Sequence, residues 1–134
     1  MQVNPYLTFK GDCEAAFKFY EQCLGARIGG IFRYGGSPIE GQVPADWSDK
    51  VMHGNLMFGE MVLQGADVAP QSYVEPKGFS FSIQLAETSE AERIFRELAD
   101  GGKVQMPLAK TFWSPRFGMV TDRFGVAWMV SVAP

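Results

Sequence analysis

Much of this amino-acid sequence is written twice. Laid on itself at an offset of 76 positions, the sequence brings Glu14 onto Glu90, Ala15 onto Ala91, Phe19 onto Phe95, Glu21 onto Glu97 and Gly25 onto Gly101. Five identities across the fifteen positions 14–28, where ordinary residue usage supplies about one, point to a duplicated unit. Similar pairs extend the overlay: Arg27 and Ile28 fall on Lys103 and Val104, and Leu7 and Phe9 on Ile83 and Leu85.

Each copy reads as strand, helix and three strands. In the first, residues 2–10 carry an extended pattern with Leu7 and Phe9 alternating against polar neighbours. Cys13, Ala16, Tyr20 and Cys23 or Leu24 then recur at helical spacing, with Asp12 as expected cap and Gly25 as stop. Strands are expected over Ala26–Tyr34, Val51–Phe58 and Met61–Ala66. Between the first two lies Gly35–Asp49, a glycine- and proline-rich stretch long enough to act as a lid, a partner contact or a mobile excursion. Trp47 within it is suited to closing over a cleft or filling a pocket on a neighbouring subunit.

The second copy opens with Phe79–Leu85, strictly alternating over seven residues. Ser89-Glu90-Ala91-Glu92 fits a capping box, Ala91, Ile94, Phe95, Leu98 and Ala99 form an apolar stripe, and Gly101-Gly102 ends the helix. Strands follow at Lys103–Phe112, Gly118–Asp122 and Val126–Val132, with a turn at 122–125. The expectation is an α+β fold in one domain of 134 residues: module one 1–67, connector 68–77 and module two 78–134. A lone four-stranded sheet cannot bury both faces, so the helices should cover the outer faces while the others curl into a cup.

Charge and composition narrow the partners. A net charge of −3 with no basic run longer than a pair gives no footprint for nucleic acid. No apolar stretch approaches the roughly 20 residues of a membrane span, and the opening Met1-Gln2-Val3-Asn4-Pro5 lacks the pattern of a secretion signal, so a cytoplasmic location is expected. Cys13 and Cys23 lie ten residues apart in one helix, about 15 Å, too far for a disulfide, and read as reduced packing residues.

Several segments together resemble one family: Pro5-Tyr6-Leu7-Thr8-Phe9 with Ala16-Phe17-Lys18-Phe19-Tyr20, Val51-Met52-His53-Gly54-Asn55-Leu56, Gly101 to Leu108, and Thr111-Phe112-Trp113 running to Trp128. The chain is similar to the vicinal oxygen chelate superfamily of glyoxalases, extradiol dioxygenases and bleomycin or fosfomycin resistance proteins, and within it to the PhnB-like branch. One departure is visible, since Trp113 is followed by Ser114-Pro115 where the family usually has glycine. The resemblance implies a cup-shaped mixed sheet, a homodimer and, in metal-dependent branches, a divalent ion held from the first and last strand of each module. Carried over by position, those ligands fall on Asn4, Ser80, Met129 and Leu63, with Gln64 beside the last. This set contains no imidazole, carboxylate or thiolate, so no metal and no cofactor is expected. The methyltransferase label attached to this branch is discounted, because no strand, glycine loop and helix of a nucleotide site is present.

Alternation turns Asn4, Tyr6, Thr8, Ser80, Ser82 and Gln84 to the concave side. His53, the only histidine, shares a strand face with Val51, Asn55 and Met57, and is the candidate catalytic residue because a neutral imidazole can donate, accept or relay a proton. A hydrogen-bonded structural histidine is the alternative. Tyr6, Thr8, Asn55, Gln64, Ser80, Ser82, Trp113, Arg116 and Met129 are the candidate ligand-binding residues. Trp113 with Arg116 suits a planar or anionic ligand, although Arg116 also fits a solvated turn charge. Trp128 and Phe124 fit packing, and Glu60 a solvated turn charge. The leading reading is a metal-free small-molecule-binding homodimer. A lyase or isomerase-type enzyme with His53 as acid or base, and an interaction module whose cup is filled by its own side chains, stand beside it.

Overall fold

The computed structural model describes residues 1–134. It divides into two compact units, residues 1–74 and 75–134. The first contains β1 (Tyr6–Phe9), α1 (Cys13–Leu24), β2 (Arg27–Arg33), β3 (Val51–Phe58) and β4 (Met61–Asp67). The second contains β5 (Phe81–Leu85), α2 (Thr88–Ala99), β6 (Lys103–Ala109), β7 (Phe117–Thr121) and β8 (Ala127–Val132). Their sheets run β1-β4-β3-β2 and β5-β8-β7-β6, each with its first pair parallel and the rest antiparallel. The α+β class and the repeated βαβββ order are therefore present.

In the first unit α1 lies on one sheet face because that face has been cleared for it. Gly54 and Gly65 are cross-strand partners, and a Cβ on either would come within 3.1 Å or less of the Phe17 ring. With no side chains there, the buried Phe17 settles between the strands, flanked by buried Leu7, Phe9, Leu56 and Leu63. Phe9 meets Phe17 edge to face at 6.3 Å between ring centres.

The start of α1 is held by a distant residue. Asp12 makes no side-chain cap; the carboxylate of Asp67 at the end of β4, 1% exposed, takes its place. Its Oδ1 accepts from the amides of Gly11 at 3.0 Å and Cys13 at 2.9 Å, and its Oδ2 from the amide of Val51 at 2.9 Å. The Asp67 carbonyl accepts from the Tyr34 hydroxyl at 2.7 Å. One buried acceptor thus ties the helix start, the start of β3 and the end of β4 together, satisfying amides that would otherwise be orphaned. At the other end Gly25 takes a left-handed conformation with φ 68° and closes the helix onto the Glu21 carbonyl. Arg33 forks onto both Glu14 oxygens at 3.0 Å each, an exposed pair that pins β2 to the helix.

The second unit uses Asp122 in the same capacity at a different place. Its Oδ1 accepts from the amides of Phe124 and Val126 at 2.8 and 3.1 Å, and its Oδ2 from the Trp128 indole at 2.8 Å. This fixes the turn at 122–125 and buries Trp128 against Phe81, their ring centres 5.1 Å apart. Phe95 of α2 packs onto Gly118, where a Cβ would lie 2.7 Å from its ring.

The structure corrects several expectations. The capping box at Ser89 does not form: α2 begins at Thr88 with no side-chain cap, its first turn closing from the Ala91 amide onto the Glu87 carbonyl, so Ser89 already lies inside the helix. The strand expected to reach Phe112 ends at Ala109, where Thr111 and Ser114 close a turn. Val51 does not share the His53 face: a bulge opposite Phe32 and Arg33 turns it toward Gly54 and the helix. Trp47 neither caps a cleft nor projects outward, being buried in its own unit against Tyr34 with ring centres 6.3 Å apart.

The 76-residue overlay holds along the first two strands of each unit and at the helix stop, where Leu7 corresponds to Ile83, Arg27 to Lys103 and Gly25 to Gly101, whereas β3 and β4 correspond to β7 and β8 at offsets of 64 and 65. It fails inside the helices. Buried Cys13, Ala16, Phe17 and Tyr20 correspond to buried Ala91, Ile94, Phe95 and Leu98, an offset of 78. Two residues are about 200° of helix, which is why Ala15 is exposed and its sequence partner Ala91 is buried.

Two outcomes follow. Asp67→Ala should lower stability by roughly 2–4 kcal/mol, since three amides lose their acceptor, read as a reduced urea midpoint with unchanged slope. Cys13 and Cys23 are free and buried, and burial, with neighbouring Asp67, pushes the Cys13 thiol well above its usual range. Neither should react with an aromatic disulfide reagent at pH 8 in the native state, and both should react after unfolding.

Candidate functional site

Five of the candidate residues converge on one sheet face of the first unit, the face away from α1. Tyr6 is register partner to Gln64, Gln64 to Asn55 and Thr8 to Ala66, while His53 pairs with Phe32 on the far edge strand. Period two puts all of these side chains on the same side. The Tyr6 hydroxyl lies 3.1 Å from His53 Nδ1, and their rings are 5.6 Å apart at 36°. Phe32 continues the row, 6.4 Å from the imidazole and at 33° to it. Beside this row Gln64 Nε2 donates to Asn55 Oδ1 at 3.4 Å.

Tyr6 belongs to β1 and His53 to β3, with β4 between them. Tyr6 stands level with Gln64 on that strand, so its phenol reaches the imidazole diagonally across β4. Desolvation raises the Tyr6 pKa above 10, with smaller contributions from Cys13 and Tyr34, so the phenol keeps its proton at neutral pH. His53 Nε2 makes no hydrogen bond within the chain. Tyr6 and Phe32 are 48% and 58% exposed, large apolar surfaces left uncovered on a polar face.

The second unit places its candidates differently. Ser82 pairs with Met129 on the face away from α2, and Ser80 precedes β5 on the exposed approach to it. Trp113 and Arg116 lie in the loop between β6 and β7, around a cavity of about 420 Å³ lined also by Lys110, Phe112, Ser114 and Pro134. Trp113 meets Phe112 and Phe117 edge to face at 4.6 and 5.3 Å, and Phe112 is 97% exposed. Arg116 is partly committed: Nη1 donates to the Pro115 carbonyl at 2.8 Å and Nε lies 3.6 Å from Glu92. A cavity of about 410 Å³ on the long loop, lined by Tyr34, Glu40 and Pro44 among others, contains none of the candidate side chains.

Sequence reasoning missed two residues that shape these surfaces. Ser114, standing where the family usually has glycine, is buried, and its Oγ lies 2.6 Å from the carbonyls of both Arg116 and Val132, tying the aromatic loop to β8. Phe32 carried no signal beyond strand alternation. The departure at Ser114-Pro115 was visible in the sequence, but the buried hydrogen bond was not.

The family's metal positions do not fit a metal here. Leu63 faces the helix, buried against Leu56, and Gln64 is the true register counterpart of Met129, since each pairs with the matching residue of its module's first strand. The donors offered are thus the amides of Asn4 and Gln64, the hydroxyl of Ser80 and the thioether of Met129, too weak and uncharged for a divalent site. No three His, Cys, Asp or Glu side chains are grouped to hold one.

Comparison with known proteins places this arrangement. The chain is 48% identical to protein PA1353 from Pseudomonas aeruginosa and superposes on its crystal structure with a TM-score of 0.88, over 99% of this chain and 98% of that one. It is 32% identical to protein YjdN of Escherichia coli strain K12 over 140 residues, 98% of this chain and 95% of that protein. A PhnB protein from Bacillus cereus, 23% identical, shares the fold with a TM-score of 0.85 over 99% of this chain and 100% of that one. Residues 2–130 match the family described as Glyoxalase/Bleomycin resistance protein/Dioxygenase superfamily, and the chain belongs to it.

Proposed function

We propose that this chain is a PhnB-like small-molecule-binding protein that works without a metal, and that its ligand rests on the first unit's exposed sheet face. The observation that carries this reading is the hydrogen-bonded Tyr6–His53 pair, extended by Phe32 and bordered by the Asn55–Gln64 amides. Aromatic faces beside a few oriented polar groups are what a small organic molecule needs for both affinity and orientation. Thr8 lies along the same face. Ser80, Ser82 and Met129, and separately Trp113 with Arg116, offer further ligand contacts in the second unit. A homodimer and a cytoplasmic location are parts of the same proposal.

One observation favours a second reading, a lyase or isomerase-type enzyme. An imidazole held through Nδ1, with Nε2 unoccupied, is arranged as a general acid or base toward anything bound in front of it.

Titration with planar antibiotics and small carbonyl compounds, followed by ¹H–¹⁵N correlation spectra, should shift Tyr6, His53, Asn55 and Gln64 together. A flat response at these positions to every probe overturns the binding face. His53→Ala should weaken a bound probe by roughly five- to thirtyfold with the fold intact, consistent with loss of one hydrogen bond and ring contact. Turnover that His53→Ala abolishes while binding persists establishes the enzyme instead.

A further inference from the structure

Resting on that binding face, we infer that Tyr6 is a positioning residue that fixes His53 in the Nε2–H tautomer, so that the site offers a ligand an N–H donor and selects molecules presenting a carbonyl-type acceptor. A phenol is a good donor and a weak acceptor, whereas the unprotonated imidazole nitrogen is a strong acceptor. At 3.1 Å between Oη and Nδ1, the favourable sense of the bond is therefore from Tyr6 to Nδ1. The proton of a neutral imidazole must then reside on Nε2, at the opposite side of the ring. The retained phenolic proton supports the same sense.

The surroundings leave that donor available and give it a purpose. Nothing else in the chain bonds to Nε2, and no carboxylate or cation contacts the imidazole, whose ring neighbours are Tyr6 and Phe32. Tyr6 and Phe32 flank the imidazole, their rings tilted 36° and 33° from it, and both present exposed aromatic surface. A flat, uncharged ligand resting against the exposed Tyr6 or Phe32 ring, with its ring carbonyl brought into the plane of the imidazole, would accept from Nε2–H. A flat ligand lacking an acceptor would stack equally well and leave the donor unpaired, which is the basis of selection.

The single histidine makes the test direct, because ¹⁵N-histidine labelling yields one pair of ring nitrogens. In the wild-type protein at pH 8, Nδ1 is expected in the unprotonated range and Nε2 in the protonated range. Tyr6→Phe, at a half-exposed position, should fold normally by circular dichroism and move both resonances toward tautomer averaging. Wild-type spectra showing Nδ1–H or averaging overturn the inference, as does a Tyr6→Phe spectrum unchanged from wild type.

The acceptor preference is read with 2-quinolone, which carries a ring carbonyl, and indole, which has none. Wild type should bind 2-quinolone at least about fivefold tighter than indole, and Tyr6→Phe should narrow that ratio. Equal binding of the two by wild type overturns the selection. Failure of both probes to shift the face counts against the binding reading itself, and is distinguishable because the tautomer is measured without any ligand.

Discussion

A carboxylate that can only accept, buried where three backbone amides converge, is the constraint on which the first unit depends. Amides at a helix start and a strand start have no partners in their own elements, and leaving each unpaired costs about 1–3 kcal/mol. Asp67 answers Gly11, Cys13 and Val51 at once, and so sets where α1 begins relative to β3 and β4. From that placement Phe17 descends onto Gly54 and Gly65. One sheet face is then fully used by the helix, and the other carries Tyr6, His53, Asn55 and Gln64.

The second unit meets the same demands with other atoms. Its buried carboxylate, Asp122, serves the turn before β8 instead of the helix start, and beneath Phe95 a single glycine, Gly118, pairs with Val130 where the first unit pairs two glycines. Its aromatic loop is held by the Ser114 hydroxyl on β8. The two halves share a plan, down to a helix phenylalanine seated on a strand glycine, and differ in what the buried carboxylate secures.

Much of this was legible in the sequence because its signals are local. Period-two alternation identified β5, the glycines at 25 and 101 marked the helix ends, and the faces of Tyr6, Thr8 and Ser82 followed from strand geometry. What depends on long-range pairing was hidden. Asp67 fell just past the strand expected to end at Ala66 and carried no signal of its own, since its amide partners lie 16 to 56 positions away. The contact of Tyr6 with His53 spans 47 positions and an intervening strand. The bulge that turns Val51 inward has no sequence marker, and the apparent capping box at Ser89 lies inside a helix that begins at Thr88.

The rotation between the two helices has a consequence for how ancestry can be traced inside this chain. After duplication, hydrogen-bonded ladders cannot slide without reversing every side chain, whereas a helix can screw along its axis and still present an apolar flank. The strands therefore preserve descent position by position, while matching letters within the helices are homonyms. Any role transferred from one half to the other should travel along the ladder.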